Sequence, residues 1–129
     1  MKKKLAIIGA GIAGLTLANF IKKNSEHEFM LYEKQDSLSL DEGYGIQLST
    51  NSIKILNLIG FSKIDNKKIF HPKGLDFYSF KNKKICDVDI SQFNTETNKY
   101  TTMQRSTLIE FLKDDIYTCL LYTSDAADD

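Results

Sequence analysis

The chain has 129 residues, enough for one domain with a sizeable core but short for most enzymes, so a part of a larger protein is the expectation. Its 17 basic and 17 acidic side chains cancel, which leaves no charge argument for a nucleic-acid partner or an anionic membrane surface. Cys86, Cys119, His27 and His71 are scattered without metal-ligand or disulfide spacing, so no metal is expected and a reducing cytoplasm is the default compartment.

Residues 5–8, LAII, are a short apolar run suited to a buried parallel strand. They lead directly into Gly9, Gly11 and Gly14 at G-x-G-x-x-G spacing. The first glycine permits a tight turn, the second lets backbone approach a pyrophosphate, and the third lets a helix pack on the strand. Leu15, Leu17, Ala18 and Ile21 mark that amphipathic helix, whose free N–H groups and positive dipole end face the anion. Residues 22–28 are a polar connection, residues 29–32 a second apolar strand, and Glu33 follows 22 residues after Gly11. A carboxylate there accepts hydrogen bonds from a ribose diol and repels a 2′-phosphate. The order strand, glycine turn, helix, strand and acid predicts dinucleotide binding. Met1 to Lys4 and the 17 uncharged residues 5–21 also imitate the basic and apolar regions of a signal peptide. Three glycines in six residues, a run short of the ~20 residues a span needs, and no small-residue cleavage site before Lys22 argue against that reading, and no integral membrane segment is expected.

Residues 34–42 are polar, and Gly43 and Gly45 then bracket Tyr44, a chain reversal or a place where backbone meets a ligand. Residues 49–52 offer caps to a short helix over 51–59, with Ile53, Leu56 and Ile59 on one face and Gly60 as its left-handed stop. Residues 75–80 and 84–90 alternate across Lys81-Asn82-Lys83, which predicts an antiparallel hairpin whose Phe77, Tyr78 and Phe80 belong to sheet faces. Residues 93–99 form a polar connection and residues 100–104 an extended piece, and Thr107-x-x-Glu110 predicts a capping box opening a helix over 108–113. Sixteen of the 17 basic residues are lysine, which suggests that position 105 requires the planar fork of Arg105. Residues 117–129, YTCLLYTSDAADD, lack any basic residue or assignable period and are expected to be a non-native tail behind a domain of residues 1–116.

Four stretches, GAGIAGLTLA at 9–18, LYEK at 31–34, GYGIQLSTNSIKILNLIGF at 43–61 and YTTMQRSTLIEFL at 100–112, together resemble the N-terminal part of the FAD-dependent aromatic-ring hydroxylase family. These are flavoprotein monooxygenases similar to salicylate, 4-hydroxybenzoate and ubiquinone-pathway hydroxylases, and the resemblance covers residues 1–116. It implies an α/β fold: an incomplete Rossmann-like FAD-binding domain plus a hairpin from the start of the substrate-side sheet. It implies that Gly9, Gly11, Ala13, Gly14, Glu33, Lys34, Gly45 and Arg105 bind FAD, with the glycine turn at the pyrophosphate, Glu33 at the adenosine ribose and Gly45 near the flavin. It further implies NAD(P)H as reductant, a small aromatic substrate, and no catalytic side chain in this stretch, because the cofactor performs the chemistry. Two departures stand out: Leu40-Asp41-Glu42 where members often carry an arginine, and Thr50 where they carry a proline. The function so implied is the FAD-binding portion of an NAD(P)H-dependent monooxygenase, inactive alone. The alternatives are part of another FAD-dependent oxidoreductase, a reductase or oxidase, and a small non-catalytic nucleotide-binding module.

Overall fold

The computed structural model describes residues 1–35 and 44–116 and the backbone of residues 121–123. In chain order the elements are β1 Lys4–Ile8, α1 Ile12–Asn24, β2 Glu28–Glu33, β3 Gly45–Leu48, α2 Thr50–Leu58, β4 Ile69–Phe70, β5 Gly74–Tyr78, β6 Lys84–Asp89, β7 Thr101–Gln104, α3 Arg105–Asp114 and β8 Leu121–Thr123. They make two compact units, one of Met1–Tyr44 with Arg105–Asp129 and the other of Gly45–Gln104.

The first unit is built on a parallel pair. β1 and β2 run in register from Lys4↔Glu28 to Ile8↔Tyr32, and β8 lies parallel on the far side of β2. Side chains alternate across such a sheet, so Ile7 and Leu31 turn to the face where α1 packs, and both are buried. Leu15, Ala18 and Ile21 of α1 and Leu108, Ile109 and Leu112 of α3 complete that core. The opposite face carries Ala6, Met30 and Tyr32, all exposed, and Ile8 at 80% exposure. Here the expectation of a fully buried first strand fails: among the described residues, helices cover only one side of these strands, and half of an apolar run then faces outward.

Helix α3 also departs from expectation. It begins at Arg105, immediately after β7, so Thr107 and Glu110 lie inside it and form no capping box. The physical reason is a backbone partner. The Arg105 N–H donates to the Tyr44 carbonyl at 3.1 Å, satisfying an amide that the first turn of a helix otherwise leaves open.

In the second unit β7 is the middle strand of an antiparallel sheet of order β3-β7-β4. Its register runs from Gly45↔Gln104 to Leu48↔Thr101 on one side and pairs Ile69↔Met103 on the other. Ile53, Leu56, Ile59, Phe61, Ile90 and Met103 form the core. Helix α2 is followed by Gly60 at φ 100°, the left-handed stop its position predicts. The hairpin β5–β6 is also as predicted: Asn82 takes φ 56° in the turn, and Leu75↔Val88 and Phe77↔Cys86 share one face. Of residues 117–129, only the backbone of β8 falls within the described residues.

Candidate cofactor site

The three glycines of the turn between β1 and α1 meet three different physical demands. Gly9 sits at φ +95°, in the left-handed region where a Cβ is penalised, and its N–H donates to the Tyr32 carbonyl at 2.7 Å. Gly14 is required by packing, since a Cβ there would lie 1.9 Å from the Gly9 carbonyl oxygen and 3.4 Å from Ile7 Cγ2. Gly11 has ordinary extended backbone, φ −71° and ψ −178°, and a Cβ on it would meet nothing within 4 Å. Neither conformation nor packing within the protein demands glycine at 11. What its missing side chain leaves is open space beside the start of a helix.

That helix start is arranged for an anion. Gly11 is the N-cap of α1, no side chain caps it, and the first turn carries no acidic residue. The first helical hydrogen bond is Leu15 N–H to the Gly11 carbonyl at 2.9 Å. The amides preceding Leu15, together with the positive end of the helix dipole, therefore address the space at Gly11. Ala13 lies exposed in this first turn.

Glu33 ends β2 at the same edge. Its Oε2 accepts from the Ala10 N–H at 2.7 Å, and its Oε1 accepts from the Gln35 N–H at 3.1 Å. The Ala10 bond, more than any other influence, holds this carboxyl below the usual glutamate range, partly opposed by desolvation and aided by the Gln35 and Lys34 amides and the Lys34 charge. Glu33 is thus ionised at neutral pH. A carboxylate offers about four lone-pair directions, so two protein donors leave room for the hydroxyls of a diol. Lys34 is exposed next to it.

Gly9, Gly11, Ala13, Gly14, Glu33 and Lys34 therefore gather at the carboxyl ends of β1 and β2, the edge where parallel α/β sheets take ligands. Arg105 belongs to the same unit, at the first position of α3, with its guanidinium carbon 5.6 Å from the centre of the Tyr44 ring. Gly45 belongs to the second unit, where it opens β3; a Cβ on it would come no closer than 3.9 Å to the Met103 carbonyl, an ordinary contact. Two participants take parts that the sequence does not assign to them. Ala10 contributes only a backbone amide, which no residue type announces, and Tyr44 was noticed for its flanking glycines and not for its ring. Among the described residues no group of His, Cys, Asp or Glu could hold a metal, and no helix is long and apolar enough to cross a membrane.

Residues 7–41 match the family described as NAD(P)-binding Rossmann-like domain. The FAD-dependent monooxygenase anuJ of Penicillium roqueforti is 39% identical over 70 residues, which are 54% of this chain and 8% of that protein. The FAD-dependent monooxygenase subE of Metarhizium robertsii is 32% identical over 92 residues, 65% of this chain and 28% of that protein. The 3-amino-4-hydroxybenzoate 2-monooxygenase PtnB3 of Streptomyces platensis is 41% identical over 61 residues, 47% of this chain and 15% of that protein. Over its N-terminal part the chain is thus similar to FAD-dependent monooxygenases. The fold of this chain recurs in solved structures. The tetrameric form of 2-methyl-3-hydroxypyridine-5-carboxylic acid oxygenase matches with a TM-score of 0.73 at 24% identity, over 95% of this chain and 31% of that one. The 2,6-dihydroxypyridine-3-hydroxylase from Arthrobacter nicotinovorans matches with a TM-score of 0.67 at 16% identity, over 96% and 29%. The chain spans less than a third of each of these relatives.

Proposed function

We propose that this chain forms the FAD-binding part of an NAD(P)H-dependent flavoprotein monooxygenase acting on a small aromatic substrate in the cytoplasm. The observation that carries the reading is the contrast among the glycines: Gly9 and Gly14 are explained by the protein itself, whereas Gly11 leaves a cradle that a Cβ would fill at an uncapped helix start. An adenine dinucleotide suits the donor set. The amides of Ile12, Ala13 and Gly14 bind the pyrophosphate without a basic side chain, and Glu33 accepts from the adenosine ribose. A 2′-phosphate in that position would meet an ionised carboxylate, so the cofactor held here is FAD and not a phosphorylated nicotinamide. Arg105, whose guanidinium lies over the Tyr44 ring, is assigned to the flavin side of the same cofactor.

FAD, when bound and reduced by a nicotinamide, supplies the oxygen chemistry. The work of these residues is to bind it, orient it and neutralise its phosphate charge, and none of them is assigned a nucleophilic or general-base step. A reductase or oxidase would use the same nucleotide site, and what favours a monooxygenase is that the three relatives described above are each named as one. Calorimetry with FAD and ADP tests the proposal. Gly11→Val should abolish binding of both while far-UV circular dichroism stays unchanged. Persistence of binding in Gly11→Val, together with its loss on replacing a lysine, would place the phosphates elsewhere.

A further inference from the structure

We propose that Glu33 is a positioning residue for the pyrophosphate half of the site: through the Ala10 N–H its carboxylate sets the glycine turn before any nucleotide arrives, and so couples the two halves of the site. The inference rests on the nucleotide reading above, but its physical basis lies in the turn alone. Three residues, Gly9, Ala10 and Gly11, join β1 to α1. Two consecutive amides of this turn are held by two consecutive residues at the end of β2: Gly9 by the Tyr32 carbonyl and Ala10 by Glu33 Oε2, each at 2.7 Å. The first bond extends the strand register, so sequence cannot easily change it. The second depends on one side chain.

Ala10 is fully buried, with 0% exposure. An amide in that position deprived of its acceptor has poor access to water and must find another partner, which it can do only by rotating the Gly9–Ala10 peptide. Rotating that peptide swings the Gly9 carbonyl, which lies against Gly14 in the first turn of α1, and so re-aims the amides of that turn. It follows that the Ala10 N–H is not a phosphate ligand, and that the anion is met by amides beyond Gly11. It also follows that Glu33 acts on a ligand that has no ribose at all, in two opposing ways: its charge repels the phosphates, and its acceptor oxygen holds the turn that receives them.

Two variants separate these effects. Glu33→Gln removes the charge and keeps an acceptor oxygen for Ala10, while Glu33→Ala removes both. Inorganic pyrophosphate, titrated into the full chain by calorimetry or amide chemical shift, should bind Glu33→Ala about tenfold more weakly than Glu33→Gln, the size expected for losing a hydrogen bond of this kind. Equal pyrophosphate affinity in the two variants overturns the proposal and leaves Glu33 as a ribose acceptor only. A second readout needs no ligand. The Ala10 amide proton should be shifted downfield and slow to exchange in the wild type, retain part of that protection in Glu33→Gln, and lose it in Glu33→Ala while amides of Gly45–Gln104 are unchanged. Identical Ala10 shift and exchange in all three proteins overturns the proposal even if nucleotides bind. A wild-type chain that binds neither pyrophosphate nor ADP overturns the nucleotide reading and the coupling, and the amide comparison still decides whether Glu33 sets the turn.

Discussion

The side-chain amide of Asn19 in α1 donates to the carbonyl of Leu112 in α3 at 2.7 Å, joining positions 93 residues apart. The same Nδ2 group also donates to the Leu15 carbonyl at 2.9 Å, and Asn19 is only 3% exposed. Leu112 lies in the last turn of α3, where carbonyls lack a helical donor, so α1 caps α3 from the side. Asn19→Ala should destabilise the chain by about 1–3 kcal/mol, the penalty for leaving a buried carbonyl unpaired, and Asn19→Leu should not restore it. Urea denaturation measures this; a change of only a few tenths of a kcal/mol would mean that the Leu112 carbonyl finds another donor.

The glycine turn gives a test in which two similar substitutions have opposite signatures. Replacing glycine by alanine inside a helix ordinarily stabilises by about 1 kcal/mol. At Gly14 the new methyl would overlap the backbone oxygen of Gly9, which no side-chain motion relieves, so Gly14→Ala should instead cost about 1–3 kcal/mol. Gly11→Ala meets open space at φ −71° and should leave the denaturation midpoint nearly unchanged while weakening ADP binding. Equal stability losses at both positions would contradict this division of labour.

The turn was legible in the sequence because its demands are steric and each leaves glycine as the answer. Gly60 was legible for the same reason, as the residue that takes positive φ where a helix stops, and the hairpin turn at Lys81-Asn82-Lys83 from the alternation on either side of it. The start of α3 was misread because Thr107 and Glu110 have capping-box spacing, while the actual partner of the first amide, the Tyr44 carbonyl, is distant in sequence and has no side-chain signature. Ile8 was expected inside because an apolar run shows that a strand is apolar, not how many layers cover it. β4 escaped notice because two residues carry no period. Of the site, Glu33 was visible as an acid at the right distance, but its bond to Ala10 was not, since an acceptor's backbone partner is set by the turn's path through space.

Acid should act on Glu33 with a definite sign. Its carboxyl is held below the ordinary value near 4.3 chiefly by the Ala10 N–H, so the folded state binds fewer protons than the unfolded state in this range. The stabilisation is complete above the unfolded value and disappears as pH falls through the lower folded value. Glu28, lowered by Lys2, and Asp89, lowered by Ser91, are exposed groups that contribute in the same direction. The difference in stability between wild type and Glu33→Gln should therefore shrink from neutral pH toward strong acid, with the change falling below about pH 5. A difference independent of pH would remove the ionised carboxylate from the account.

Arg105 and Tyr44 offer a separation of charge from shape. A guanidinium over an exposed ring contributes about 0.5–1 kcal/mol, so Tyr44→Leu should lower stability by no more than that. Under the proposed function Arg105→Lys keeps the charge and loses the planar fork, and FAD affinity should fall roughly tenfold with stability changed by less than about 1 kcal/mol. Full FAD affinity in Arg105→Lys would show that position 105 supplies only a positive charge, or no cofactor contact.

The first unit is interrupted in sequence, and this sets an order of events during synthesis. The chain leaves it after Tyr44 and rejoins it at Arg105, with the 60 residues of Gly45–Gln104 between. On a ribosome adding about 5–20 residues each second, that interval lasts roughly 3–12 s. The inserted unit can close while Leu15, Ala18 and Ile21 still await Leu108, Ile109 and Leu112, and Asn19 its carbonyl. The glycine turn is thus made before the inserted unit and gains only after it the helix pair that supports it, so a nascent chain passes several seconds with a sticky helix face for a chaperone to shield.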